Sequence, residues 1–227
     1  MAGTVLIVGG TAGIGRELAK HYVDRGRPVV LTGRNGDRAK SVAAELGGDA
    51  AGLALDLSRP HEIAGNLAGL GPVDHVVLAA IDRDANFVKT YNIEAAIHLV
   101  TLKLVGYTEV VHTLAERLTG DGSVLLFGGQ ARDRPYPGST TVSSINAGVI
   151  GMVRTLSVEV APVRVNSIHP GIVGDSPYWE GKNLDAVTAN TLIGRLATMR
   201  ECVEASVFLL ENGGINGVNL VIDGGFR

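Results

Sequence analysis

Short, almost unbroken apolar runs alternate along this chain with stretches whose apolar residues recur every three or four positions. Thr4–Val8 (TVLIV) reads as a buried strand, and Ile14, Leu18 and Tyr22, four apart, place a helix over Ile14–Val23. Gly26 closes that helix, and Pro28–Thr32 (PVVLT) begins a second strand. The pattern then predicts a helix over Asp37–Leu46, a strand over Gly52–Leu55, a fourth strand over Asp74–Ile81 and one long helix over Ala95–Leu118. Ser123–Phe127, Val163–Ser167 and Val218–Ile222 supply three more strands, with a helix over Ile145–Val160 between the first two. Strands buried on both faces and joined by helical crossovers predict an α/β fold. Its form is a three-layer, doubly wound (Rossmann-like) parallel sheet of about seven strands, helices on both faces. No repeat, Pro/Ser-rich linker or low-complexity tract interrupts the pattern, so residues 1–227 read as one domain.

Composition narrows the partners. The 20 Lys and Arg against 23 Asp and Glu leave a net charge of −3 with no concentrated basic footprint, which argues against nucleic-acid or membrane-surface binding. Cys202 is the single cysteine, so no internal disulfide or cysteine-rich zinc site can form, and the six histidines lack metal-ligand spacing. Met1-Ala2-Gly3-Thr4 carries no basic n-region, and the apolar run His75–Ile81 falls far short of the ~20 residues a membrane span needs. A cytoplasmic protein acting on a small molecule is expected.

The sharpest chemical signal is Gly9-Gly10-Thr11-Ala12-Gly13-Ile14-Gly15, set between the first strand and the first helix. Glycines there let the backbone turn tightly and approach a pyrophosphate, which free amides and the positive helix end then hold. Gly9, Thr11, Ala12, Gly13, Ile14 and Gly15 are therefore candidate dinucleotide contacts. The residue about 20 positions further selects the dinucleotide: a carboxylate grips a ribose 2′-hydroxyl, whereas arginine accommodates a 2′-phosphate. Here it is Arg34, in Leu31-Thr32-Gly33-Arg34-Asn35, with no acid at the end of that strand. NADP(H) is thus expected over NAD(H), against the plainer reading of Arg34 as a solvated loop charge.

These landmarks, with others in order behind them, resemble the short-chain dehydrogenase/reductase family over essentially the whole chain. The others are Asp56-Leu57, the strand Asp74–Ile81, Pro170-Gly171-Ile172-Val173, and Asn216-Gly217 followed by Asp223-Gly224-Gly225. The resemblance implies seven parallel strands, a homodimer or homotetramer, and adenine contacts at Asp56 and Leu57. It also implies cofactor contacts at Ala79, Ala80, Asn146, Pro170, Gly171 and Val173.

The family usually works through Asn, Ser, Tyr and Lys, and the matching positions here differ. Lys103 falls at the Asn, Gly129 at the Ser, Val142 at the Tyr and Asn146 at the Lys. Val142 cannot transfer a proton, and a missing general acid forfeits roughly 10²–10⁴ in rate. Lys103, amid Leu99, Leu102, Leu104 and Val110, is expected to be partly buried and is the candidate substitute, against the plainer reading of a stem packed on apolar neighbours with its ammonium in water. Asn146 is the other catalytic candidate, more readily read as bonding a ribose hydroxyl. Around them, Arg132 and Arg134 could clamp an anionic substrate, although a solvated loop with an Arg–Asp pair is the plainer reading. Tyr136 could supply an acid, and Tyr178-Trp179 could wall the pocket. His169 is expected to be structural. Three functions stay open: an NADP(H)-dependent oxidoreductase with a non-standard proton relay, a catalytically degenerate NADP(H)-binding sensor or scaffold, and a non-redox lyase or isomerase.

Overall fold

Val5, Leu6, Ile7 and Val8 are all buried because β1 (Thr4–Val8) lies inside a sheet covered on both faces. A computed structural model describes residues 3–227; the reading of Met1 and Ala2 lies outside the described residues. The strands are β1, β2 (Val29–Gly33), β3 (Ala50–Ala54), β4 (Val73–Leu78), β5 (Leu118–Phe127), β6 (Arg164–Pro170) and β7 (Asn219–Ile222). All seven pair in parallel, in the order β3-β2-β1-β4-β5-β6-β7. The expected doubly wound sheet is the fold.

Successive side chains of a strand point to opposite faces, and the core divides accordingly. Leu6, Val8, Val76, Leu78, Val124 and Leu126 face one layer, made of α3 (Pro60–Leu67), α5 (Tyr107–Leu114) and α6 (Thr140–Glu159). Val5, Ile7, Val77 and Leu125 face the other, made of α1 (Gly13–Val23), α2 (Gly36–Leu46) and α8 (Met199–Glu211).

Three departures from the sequence pattern bear on the site. β4 ends at Leu78, opposite Val8, rather than running to Ile81; Ala79, Ala80 and Ile81 leave the ladder at the sheet's carboxyl edge. The long helix expected over Ala95–Leu118 is instead α4 (Ile93–Val100), a π-turn over Thr101–Gly106, and α5, followed by a short 3-10 turn. Leu118 already pairs with Val73 in β5, which ends the helix before it. Inside the π-turn, Gly106 packs against the Leu57 carbonyl with no room for a Cβ. The third departure is α6, which starts at Thr140, five residues before the apolar stripe suggested.

Three helices were not anticipated: α3, α7 (Asp185–Ala189) and α8. Two carried local signals. Pro60 stands at the start of α3, and Thr198 with Glu201 forms a capping box at α8.

Candidate active site

At the carboxyl edge of the sheet, the amides of Gly9 and Gly10 both donate to the Thr32 carbonyl, at 3.1 and 3.0 Å. These bonds pin the glycine loop to β2. Gly9 has φ +89°, and a Cβ there would lie 2.5 Å from the Ala80 amide nitrogen, so only glycine lets the loop close against the segment after β4. Gly15 has no room either, since its Cβ direction is filled by the Gly9 carbonyl. Gly13 is different. Its φ is +53°, yet a Cβ would meet nothing within 4 Å. The turn is therefore tight inside and open outside, and no side chain caps α1 at Ala12. The first-turn amides of α1 are left to an external acceptor, which suits an anionic phosphate. Thr11 and Ile14 are half-buried beside this opening, and Ala12 is exposed at it.

Arg34, just beyond β2, is 62% exposed in its side chain and pairs at 2.9 Å with Asp82, which follows β4. His98 of α4 approaches the same carboxylate oxygen at 2.8 Å. Asp56 accepts from the Ser58 amide at 3.0 Å and the Ser58 hydroxyl at 2.7 Å. Burial pushes the Asp56 carboxyl upward, but these bonds with Arg34 and Arg59 nearby outweigh it and hold its pKa below the usual carboxylate value. Leu57 is a core residue, packed with α3 and α5, so its side chain does not reach the rim. Val173 is buried as well, whereas Pro170 and Gly171 stay half-exposed where β6 ends.

Beyond this half of the cleft lie the positions expected to carry chemistry. Lys103 was expected to be partly buried; at 1% exposure it is fully buried, because the π-turn sits in a stripe of buried residues, Leu99, Leu102, Gly106 and Tyr107. Its Nζ donates to the Tyr107 hydroxyl at 3.1 Å, and that hydroxyl donates to the Ala80 carbonyl at 2.8 Å. Among the described residues no carboxylate pairs with this ammonium, and desolvation, with Arg83 nearby, lowers its pKa to about 7.

Asn146 is buried in α6, and its Oδ1 has no hydrogen-bond partner among the described residues. A Cβ on Gly129 would stand 2.9 Å from Asn146 Nδ2, so the bare glycine is what makes room for that amide. Val142 packs with Leu99 and Ile145 in a small apolar cluster and offers no proton. His169 is buried among partners of the fold. Its Nδ1 accepts from the Gly129 amide at 3.3 Å, and Nε2 lies 2.8 Å from the Ser167 hydroxyl. Its ring fills the space a side chain on Gly128 would need. Burial, with Arg132 nearby, lowers its pKa to about 4.

The neighbouring loop corrects one expectation. The Arg132–Asp133 pair forms, at 3.0 Å, but only its Asp133 end is open: the Arg132 side chain is 9% exposed. Arg134 reaches over the Phe226 ring instead, 5.7 Å from the centroid. Tyr136 is exposed and lines a cavity of about 410 Å³ with Phe87, Pro137 and Ser143. Trp179 meets Tyr178 edge-on at 4.7 Å, and Arg83 stacks on the other aromatic, 3.7 Å from the Tyr178 centroid. Sequence reasoning missed Asp82, Arg83 and Tyr107; the signal for the first two was the charged run Asp82-Arg83-Asp84 directly after an apolar strand.

With this geometry in place, comparison with known proteins decides the family. The sequence family described as Enoyl-(Acyl carrier protein) reductase matches residues 9–227. A bovine (Bos taurus) 3-oxoacyl-[acyl-carrier-protein] reductase is 30% identical over 97% of this chain and 96% of its own. The chain belongs to the short-chain dehydrogenase/reductase family. A zebrafish (Danio rerio) carbonyl reductase family member 4 is 30% identical over 100% of this short-chain dehydrogenase/reductase and 99% of its own length. The reductase/Diels-Alderase MalC from Malbranchea aurantiaca superposes with a TM-score of 0.90 at 26% identity, covering 97% of this chain and 95% of that one.

Such oxidoreductase relatives imply a nicotinamide cofactor, and the residues fit one. The open face of Gly13, the uncapped amides of α1 and the unpartnered Asn146 Oδ1 are the groups a dinucleotide needs. Among the described residues no group of His, Cys, Asp and Glu gathers as a metal site, and no helix is long and apolar enough to cross a membrane.

Proposed function

We propose that this protein is an NADP(H)-dependent oxidoreductase acting on a small carbonyl or alcohol, with Lys103 in the proton-transfer role. The cofactor, when bound, supplies or accepts the hydride. Residues 1–227 would work as one dinucleotide-binding unit, in a homodimer or homotetramer. The α1 amides and the Gly9–Gly15 turn hold the pyrophosphate, Arg34 the 2′-phosphate, and Asp56 the adenine edge. Asn146 Oδ1 accepts from a ribose hydroxyl, which satisfies an otherwise orphaned buried acceptor.

The observation that carries the chemistry is the Lys103 amine, fully buried and, among the described residues, bonded only to the Tyr107 hydroxyl. A buried ammonium without a counter-ion gives up its proton readily. In carbonyl reduction, Nζ would give a proton to the substrate oxygen while the bound cofactor supplied the hydride to the carbon, and the neutral amine left behind would regain its proton from solvent. In the oxidative direction the neutral amine takes the hydroxyl proton. Tyr107 accepts from Nζ while its own hydroxyl proton goes to the Ala80 carbonyl.

Val142 in its apolar cluster favours a second reading, a catalytically degenerate NADP(H)-binding sensor or scaffold. Thermal melting with NADPH and NADH, followed by NADPH oxidation across a carbonyl panel, separates the two. Ligand at a hundred times its dissociation constant adds roughly 2.7 kcal/mol of stability. Turnover whose pH profile turns near 7, abolished by Lys103→Met, supports the enzyme. Tight NADPH binding without turnover supports the sensor, and no response to either dinucleotide overturns both.

A further inference from the structure

We propose that the substrate of this site carries a carboxylate, and that Arg132 is the residue that binds it. The inference rests on the oxidoreductase reading and adds the substrate class. Arg132 closes a short turn, Gln130–Arg132, just after β5. Its side chain is 9% exposed, an expensive place for a guanidinium that finds few partners. Nε lies 3.0 Å from Asp133 Oδ2 in an ion pair, yet is not aligned with it for a hydrogen bond, so the buried Nε–H has no hydrogen-bond acceptor among the described residues. No hydrogen bond from the rest of the guanidinium occurs among the described residues. Two parallel N–H donors in a fixed plane match a carboxylate.

The turn is held in advance. Ser143 of α6 donates its hydroxyl to the Ala131 carbonyl at 2.8 Å, and the Gln130 side chain donates to the His169 carbonyl at 3.2 Å. The turn therefore sits beside His169, whose Nδ1 accepts from the Gly129 amide at 3.3 Å, and Gly129 in turn adjoins the Asn146 amide. The exposed carboxylate of Asp133 stands beside Arg132. The cofactor's phosphates do not account for Arg132. They belong with β1 and β2, whereas Arg132 follows β5, beyond β4 in the sheet order. A substrate carboxylate would supply the aligned acceptor that Asp133 does not.

The test uses the full chain, first titrated with NADPH and then, at saturating NADPH, with 2-oxobutanoate, 3-oxobutanoate and 4-oxopentanoate, each against its ethyl ester, by calorimetry. At least one acid should bind ten-fold or more tightly than its ester, with Arg132→Gln erasing the difference and Arg132→Lys retaining part of it. Esters that bind as well as all three acids overturn the proposal without any variant, as does a preference that survives Arg132→Gln. An unchanged NADPH titration certifies that the variant is folded. An Arg132-dependent acid preference without NADPH binding would remove the cofactor reading and leave this one standing; NADPH binding without an acid preference does the reverse.

Discussion

Arg34 Nη1 stands 2.9 Å from Asp82 Oδ2, so an ion pair joins the end of β2 to the segment leaving β4, across the intervening β1. Both partners flank the mouth of the glycine loop. A 2′-phosphate would draw Arg34 away from Asp82, and an exposed pair of this kind holds only weakly, by up to about 1 kcal/mol. Arg34→Asp should weaken NADPH at least ten-fold, since one charge-assisted hydrogen bond contributes about 1.5–3 kcal/mol. Asp82→Asn should tighten NADPH a few-fold and leave NADH unchanged. Fluorescence titration of both dinucleotides reads the outcome; NADH bound more tightly than NADPH by the unmodified chain would refute the assignment of Arg34.

The two positive-φ glycines of the loop should fail differently. Gly9→Ala must place a Cβ 2.5 Å from the Ala80 amide at φ +89°, and should cost about 3 kcal/mol or more of folding stability. Gly13→Asp meets open space, so it should cost only about 1 kcal/mol, for a left-handed backbone that Asp tolerates. Its carboxylate would nevertheless occupy the cradle, and dinucleotide binding should vanish. Denaturant melts and NADPH titrations on the pair check both halves.

Lys103 predicts the alkaline side of the stability profile. Its folded pKa, about 7, lies below the ordinary value of 10.5. Between those two values the unfolded chain holds a proton that the folded chain lacks, so this residue makes stability rise with pH across the window. Below pH 7 both states are charged and the burial penalty is felt in full. Lys103→Met should remove the rise, on the order of a few kcal/mol, and be the more stable protein at pH 6. Urea melts at pH 6, 8 and 10 measure it; parallel curves for the two proteins would mean that the amine is not desolvated in solution.

His169 governs the acid side. Its pKa is depressed to about 4 from 6.5, so between pH 6.5 and 4 the unfolded chain binds the extra proton, and stability falls as pH drops through that range. His169→Gln should flatten this loss while weakening the packing against Gly128. Melts at pH 4.5, 5.5 and 7 are the check, and an equally acid-sensitive variant would place the loss elsewhere.

The layer architecture and the glycine loop were readable because each depends on local spacing. Apolar runs mark strands buried on both faces, and a Gly-rich turn between the first strand and helix has few other uses. The helices α3 and α8 were also writable from Pro60 and the Thr198/Glu201 box, signals that were overlooked. The chemistry of Lys103 was only half visible. Its position in an apolar stripe implied burial, but its completeness, the Tyr107 bond and the missing counter-ion depend on the π-turn and on β4 ending at Leu78. Arg132 was misread as solvated, because nothing in Arg132-Asp133-Arg134 shows that Ser143 and Gln130 anchor the turn beside His169.

Periodicity and glycine placement suffice for the sheet, its layers and the phosphate turn, since hydrophobic burial and backbone sterics act between near neighbours in the chain. Which charges meet is another matter. Arg34 finds Asp82 48 residues away, and Gly129 opens space for Asn146 on a different element. Desolvation and Coulomb forces depend on distance in space, so the partners and proton affinities of this cleft exist only once the strands are side by side.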